Sequence, residues 1–285
     1  MGTSDAFFQS LGLVDFQLRV RDLERVRRFY REVLGFREIS AAPGRVAFSA
    51  SGDPPALVTL EHAPDARQAP TGSAGLFHVA FLYPDRAALG RALERVSAVG
   101  LRLGGADHGV SEAVYLSDPE GNGIELYADR PAREWPPGGA EGDVAMVTDP
   151  LDFAGVLAAG RRTREAGMPP DVRVGHVHLR VSDLDRTDAF YTGLLGFAVR
   201  QRDYPGARFF GRDGYHHHLG ANVWHSRRPA AAGALGLARF TLRFADAASF
   251  APLARALRDA GLVVAGNATW VETRDPDGIP LVVRT

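Results

Sequence analysis

The chain of 285 residues contains no cysteine, which excludes disulfides, thiolate metal ligands and a cysteine nucleophile. It has no sustained apolar run in its first twenty residues, which instead carry Asp5, Asp15 and Arg19, so neither a signal peptide nor a membrane span is expected there. The default expectation is therefore a cytoplasmic protein. It also has no excess of either charge: the formal net charge is −1. With no basic stripe to neutralise phosphates, nucleic acid is not an expected partner. What is present is an ordinary globular balance, 45% hydrophobic and 24% charged residues, enough for one or two real cores without a structural metal.

The most informative positive feature is a fourfold internal repeat. DFQLRVRD (Asp15 to Asp22), HVAFLYPD (His78 to Asp85), HVHLRVSD (His176 to Asp183) and RFTLRFAD (Arg239 to Asp246) each read as a short apolar strand ending in Asp. The closing aspartates are 63 residues apart between units one and two and again between units three and four, and 98 apart between units two and three. Each Asp stands where an N-cap oxygen accepts free backbone N–H groups of a following helix. Leu23, Val26, Phe29, Tyr30, Val33 and Leu34 form the apolar stripe of the first helix, and Gly35, Gly100, Gly196 and Gly261 stop the four helices. Shorter β-type runs follow, such as Arg45–Ala50, Ala56–Glu61, Ala113–Leu116 and Ile124–Ala128, so each unit reads as β-α-β-β-β.

The extra length between units two and three is a linker from about Asp129 to Arg173. It is rich in Pro and Gly around Trp135–Gly139 and Met168–Pro170, with a short helix expected over Pro150–Ala159. The expected class is α+β, with two units in residues 10–130, the linker over 131–172, and two units in 173–285.

Four such units paired into two domains resemble the vicinal oxygen chelate superfamily, which includes glyoxalase I, bleomycin-resistance proteins and type I extradiol dioxygenases. A sharper likeness lies in unit two. There His108, the Val114–Tyr115 pair, Asp118-Pro119-Glu-Gly121 and Glu125 follow the spaced extradiol pattern of His, apolar-Tyr, Asp-Pro-x-Gly and Glu. Ala106 departs from it, standing where Gly or another residue is preferred. The segments Gly75–Pro131 and Gly175–Trp224, the latter with its Tyr-His-His-His run, look most like two-domain catechol 2,3-dioxygenases of the CatE type. The resemblance implies cupped sheets with a metal in the cup. It also implies Fe(II) as cofactor, or another divalent ion in its place, a catechol-like small molecule and O2 as partners, and a 2-hydroxymuconic semialdehyde type product. No membrane partner is expected, and a homo-oligomer is compatible with these features.

Among nine histidines, the repeat register separates candidates. It aligns Asp15, His78, His176 and Arg239 at the starts of first strands, and Glu125 with Val282 seven residues beyond the Asp of a DPxG turn. A lone His between apolar strand residues is more often a hydrogen-bonded core group than a ligand. His78 and Glu125 at register-equivalent positions, with the spaced pattern between them, favour a metal instead. Two neutral imidazoles and one carboxylate on one face leave an Fe(II) open elsewhere. His78, Glu125 and His176 are the expected trio, matching the iron-ligand positions of the enzymes the chain resembles. His178 and Asp15 are the competing third ligands. The resemblance further implies His108 as an acid/base group, Tyr115 as a hydrogen-bonding partner, and His217 beside bound oxygen. His216 and His218 are expected on the opposite face from His217, as alternation along a strand requires.

Neither units one and two nor units three and four hold the whole trio. Units two and three are therefore expected to share the active cup, within one chain or between two, leaving units one and four to form a metal-free one. Two other functions remain open within the same fold. A glyoxalase-like isomerase would want a second Glu across the cup, where the sequence offers Leu219–Trp224. A bleomycin-resistance-like binding protein would have no need of these residues in register.

Overall fold

The computed structural model describes residues 8–140, 142–162 and 167–285, so Asp5 and five residues of the expected linker lie outside the described residues. Four β-α-β-β-β units follow one another. Unit one comprises β1 (Leu11–Val20), α1 (Leu23–Arg28) continued by a wider π-type turn over Phe29–Leu34, β2 (Arg37–Ala42), β3 (Arg45–Ser49) and β4 (Val58–His62). Unit two comprises β5 (Gly75–Tyr83), α2 (Arg86–Ser97), β6 (Gly104–Asp107), β7 (Ser111–Ser117) and β8 (Gly123–Asp129). The linker holds β9 (Asp149–Pro150) and α3 (Phe153–Arg161). Unit three comprises β10 (Arg173–Arg180), α4 (Leu184–Gly193), β11 (Ala198–Gln201), β12 (Ala207–Gly211) and β13 (Leu219–Asn222). Unit four comprises β14 (Gly236–Phe244), α5 (Ala247–Asp259), β15 (Val263–Gly266), β16 (Trp270–Arg274) and β17 (Pro280–Arg284).

The capping logic of the repeat is realised at all four helices. Asp22, Asp85, Asp183 and Asp246 accept the N–H of the residue three further on at 3.0, 2.7, 2.8 and 2.7 Å. Gly35, Gly100, Gly196 and Gly261 all take the left-handed conformation that ends such helices. The linker helix starts at Phe153, not at Pro150, because Asp152 caps it by accepting the N–H of Gly155.

The sheets do not pair unit one with unit two and unit three with unit four. One runs β11-β12-β13-β10-β5-β8-β7-β6-β9 and unites units two and three; the other runs β15-β16-β17-β14-β1-β4-β3-β2 and unites units one and four. At each centre two first strands lie antiparallel, β5 against β10 and β1 against β14. The halves 10–130 and 173–285 are thus repeats along the chain, and each gives one unit to each sheet. Alternation along the strands sorts the side chains. Val79, Phe81, Val177, Leu179, Ile124 and Leu126 enter the main core, while His78, Glu125, His176 and His178 face the concave side. Phe81 touches Phe16 and Phe36 across the sheets, with ring centroids 5.9 and 4.8 Å apart. No helix of the described residues is long and apolar enough to cross a membrane.

Two tight details predict stability. The linker helix α3 crosses α2 so closely that a Cβ on Gly90 would lie 2.2 Å from the Val156 carbonyl oxygen and 2.7 Å from Gly160 N. Replacing a helical Gly by Ala gains at most about 1 kcal/mol of propensity. Overpacking against backbone that cannot rotate away costs about 1–3 kcal/mol, so the clash wins. Gly90→Ala should lower the unfolding free energy in urea by about 1–2 kcal/mol; equal or higher stability would contradict the packing.

The second detail is the buried Asp275 in the DPxG turn of unit four. It accepts the N–H groups of Asp277 and Ile279 at 3.0 and 2.9 Å, and burial pushes its carboxyl up to about 7. The folded state then holds this proton more tightly than the unfolded chain does. The stabilisation is complete below about pH 4 and is lost as pH rises toward 7. Asp275→Asn keeps the acceptor and removes the titration. Its stability relative to wild type should rise between pH 4 and 7, by up to about 4 kcal/mol, as read from urea midpoints; a parallel pH course for both proteins would contradict it.

Candidate metal centre and its cavity

The antiparallel contact of β5 and β10 sets His178 opposite His78 and His176 opposite Ala80, while β8 lies parallel on the other side of β5 with Glu125 beside Ala80. A bulge at Gly175 permits this register. Glycine is required there because the Tyr127 hydroxyl stands 1.8 Å from where a Cβ would be. The result is a convergence on one point. His78 Nε2 lies 2.9 Å and His176 Nε2 3.1 Å from the same Glu125 oxygen, and one ligand atom from each of the three falls within 4.8 Å of the others.

All three side chains are buried. Burial pushes the Glu125 carboxyl up, but His176 and His78 together outweigh it and hold it well below the usual carboxylate range. Burial pushes the His176 imidazole down to about 4, so it is neutral at pH 7. A metal fits this set on its own geometry. Donors about 2.1 Å from an ion and at right angles to one another sit about 3.0 Å apart. His78 Nε2 is buried without the angle of a hydrogen bond, although the carboxylate is at contact distance.

The competing third ligands have other partners. His178 turns its Nε2 to the Asn222 amide, 3.0 Å away, which donates to it. Asp15 belongs to the other sheet and accepts from Thr241 Oγ1 at 3.1 Å. There Gln17 bridges Glu61 and Arg239, so the second concave face carries polar pairs at the equivalent strand positions.

His108, Tyr115 and His217 line the same cavity as the trio, which has a volume of about 440 Å3. His108 Nδ1 donates to the Val147 carbonyl at 2.6 Å, which leaves Nε2 as the acceptor for the Tyr115 hydroxyl at 2.7 Å. Burial and the Glu125 charge raise the Tyr115 phenol well above its usual range, keeping it a hydroxyl donor. His217 packs against His176 with ring centroids 4.1 Å apart.

The His triplet is a bend ahead of β13, not part of a strand, yet His217 alone lines the cavity while His216 and His218 both pack on Tyr215. His216 Nδ1 meets His217 Nδ1 at 2.7 Å, and its Nε2 donates to Asp129 at 2.9 Å. While His216 carries one proton, His217 Nδ1 is the donor and His217 Nε2 is bare. Burial pushes the His217 imidazole well down, which keeps it neutral.

Sequence reasoning missed one wall of the cavity. Linker residues Met146 and Thr148 line it. The strap is held by reciprocal hydrogen bonds of Met146 backbone with the Gln201 side chain, by Val144 N–H to Arg200 O, and by Thr148 Oγ1 to the Tyr204 hydroxyl at 2.7 Å. No apolar periodicity marks this stretch, so only its tertiary partners reveal it.

Two glyoxalase-like domains and a buried His-Glu-His cluster in the cup define a class of protein, and the chain belongs to the Glyoxalase/Bleomycin resistance protein/Dioxygenase superfamily, whose model matches residues 12–126 and 173–283. It is 39% identical over 265 residues to the catechol-2,3-dioxygenase of Bacillus subtilis (strain 168), covering 91% of this chain and 92% of that one. Among solved structures it is similar to a Bacillus subtilis protein provisionally described as a dioxygenase, with TM-score 0.68 and 16% identity, covering 97% of this chain and 86% of that one. It is also similar to glyoxalase I of Zea mays, with TM-score 0.56 and 19% identity, covering 96% and 92%.

The hydrogen-bond geometry makes a spectroscopic prediction. Imidazole 15N–1H spectra at neutral pH should show His108 as the Nδ1–H tautomer, and Tyr115→Phe should leave that tautomer in place because Val147 O holds the proton. An Nε2–H tautomer in the wild-type protein would contradict the assignment.

Proposed function

We propose that the chain is an Fe(II)-dependent extradiol dioxygenase that opens a catechol-type ring with O2 to a 2-hydroxymuconic semialdehyde type product. The observation that carries this reading is the convergence of His78, Glu125 and His176 on one point in the floor of a buried cavity. The named activity of the 39% identical relative supports it. His78, Glu125 and His176 would hold Fe(II), which would supply the redox chemistry that couples a diol to O2.

The chain supplies the rest. The bare Nε2 of His108, with Tyr115 donating to it, can accept a proton from the diol and return it, with the linker carbonyl of Val147 fixing the ring. His217, packed on His176, lines the cavity where it could hydrogen-bond reacting oxygen, and Asp129 orients it through His216. The glyoxalase-like alternative calls for a second Glu across the cup; the β13 residue in the register of Glu125 is Gly220, opposite His178, and β13 carries no carboxylate.

Anaerobic loading with Fe(II), followed by catechol and O2, should give a yellow ring-fission product with about one O2 consumed per ring. Glu125→Ala and His176→Ala should lose iron and more than about 10²-fold in kcat/KM. Tyr115→Phe and His108→Gln should keep iron and lose about 10²–10⁴-fold in kcat. Iron retained by both ligand variants, or no O2 uptake with any diphenol, would overturn the reading.

A further inference from the structure

We propose that the cavity is built for an uncharged catechol bearing an apolar ring substituent, aryl or alkyl, in preference to the parent diol or a carboxylated one. The proposal rests on the dioxygenase reading and names its substrate class.

The cavity has two chemically distinct ends. One holds His78, Glu125 and His176. The other is a continuous aromatic box: Phe77 meets Trp224 edge to face at 5.4 Å, Trp224 lies 6.3 Å from Tyr204, and Tyr204 meets Phe209 at 5.6 Å. Phe77 and Phe209 connect the box to the metal end through His178 and His217, at 5.1 and 5.0 Å. Met146 adds a flexible apolar side chain from the strap.

The walls of this box are pinned before any ligand arrives. Trp224 Nε1 donates to Pro205 O at 2.8 Å, and the Tyr204 hydroxyl is joined to Thr148. A fixed aromatic box favours a flat or apolar group that stacks on it, because little ordering cost remains. The volume of about 440 Å3 exceeds what one unsubstituted diol ring fills, so the parent compound would leave apolar wall without a partner.

Charge decides against the other substituents. The chain has no lysine, and among the described residues no arginine lines the cavity. Among the described residues the one carboxylate lining it is Glu125, already facing two imidazoles. A carboxylate on the substrate ring would lose water here and meet no cation, which costs binding. A ring ammonium would find no anion at the box end. Trp224, 37% exposed, marks the mouth through which the substituent extends.

The test measures kcat/KM of the iron-loaded enzyme for a phenylcatechol, catechol and 3,4-dihydroxybenzoate. In parallel, calorimetry measures binding of the same three to the zinc-loaded protein, where no turnover occurs. The phenyl compound should exceed catechol by about 10–100-fold in kcat/KM and bind more tightly, and the benzoate should fall below catechol by a similar factor. Trp224→Ala should reduce the phenyl-to-parent ratio at least about tenfold, with Phe77→Leu as the second variant should Trp224→Ala not fold. Trp224→Arg should raise the benzoate-to-parent ratio by about tenfold, by supplying the missing cation. Equal or better turnover and binding of catechol, or of the benzoate, would overturn the proposal. Should no diphenol be oxidised, the dioxygenase reading fails, and calorimetry alone decides the cavity: tighter phenylcatechol binding upholds the apolar box, and equal or weaker binding rejects it.

Discussion

One buried carboxylate between two buried imidazoles is the constraint on which the rest of this molecule depends. Taking Glu125 out of water is costly, and the cost is tolerated only because His78 and His176 face the same oxygen at 2.9 and 3.1 Å. Those histidines come from β5 and β10, first strands of different halves of the chain, and they meet only because these strands lie antiparallel at the centre of one sheet. The trio and the sheet order are therefore one fact. A chain that paired its units in sequence order would place His176 opposite the wrong strand.

The second sheet shows what the same architecture does without that demand. At the corresponding strand positions it carries Asp15 with Thr241, and Gln17 between Glu61 and Arg239. Burial raises the Asp15 carboxyl, and its neighbours are a hydroxyl and arginines in place of imidazoles. The repeat thus gives two equivalent concave faces, and the His-Glu-His cluster stands on one. The strap from the linker closes that face, so the segment joining the halves also shapes the cavity and fixes the proton of His108.

Much of this was legible in the chain itself. The repeat gave the four units, because a strand ending in a capping Asp and a helix ending in a left-handed Gly are local devices whose chemistry is visible in single residues. The unequal distribution of His and Glu among register-equivalent positions pointed to the pairing of units two and three, which the sheets realise. What was not legible depends on contacts distant in sequence. Met146 and Thr148 sit in a stretch of no periodicity and acquire meaning only through Gln201 and Tyr204. The His216–His217–Asp129 chain was hidden because the triplet bends where strand alternation was expected. The choice of His176 over His178 turns on the Gly175 bulge and on Asn222, which occupies His178.

The most direct measurement is X-ray absorption on the Fe(II)-loaded protein without substrate. The account predicts two imidazole nitrogens and one carboxylate oxygen at about 2.0–2.2 Å, the remaining positions filled by exchangeable light atoms. An iron shell with a single imidazole or none, or one unchanged in Glu125→Ala, would contradict it.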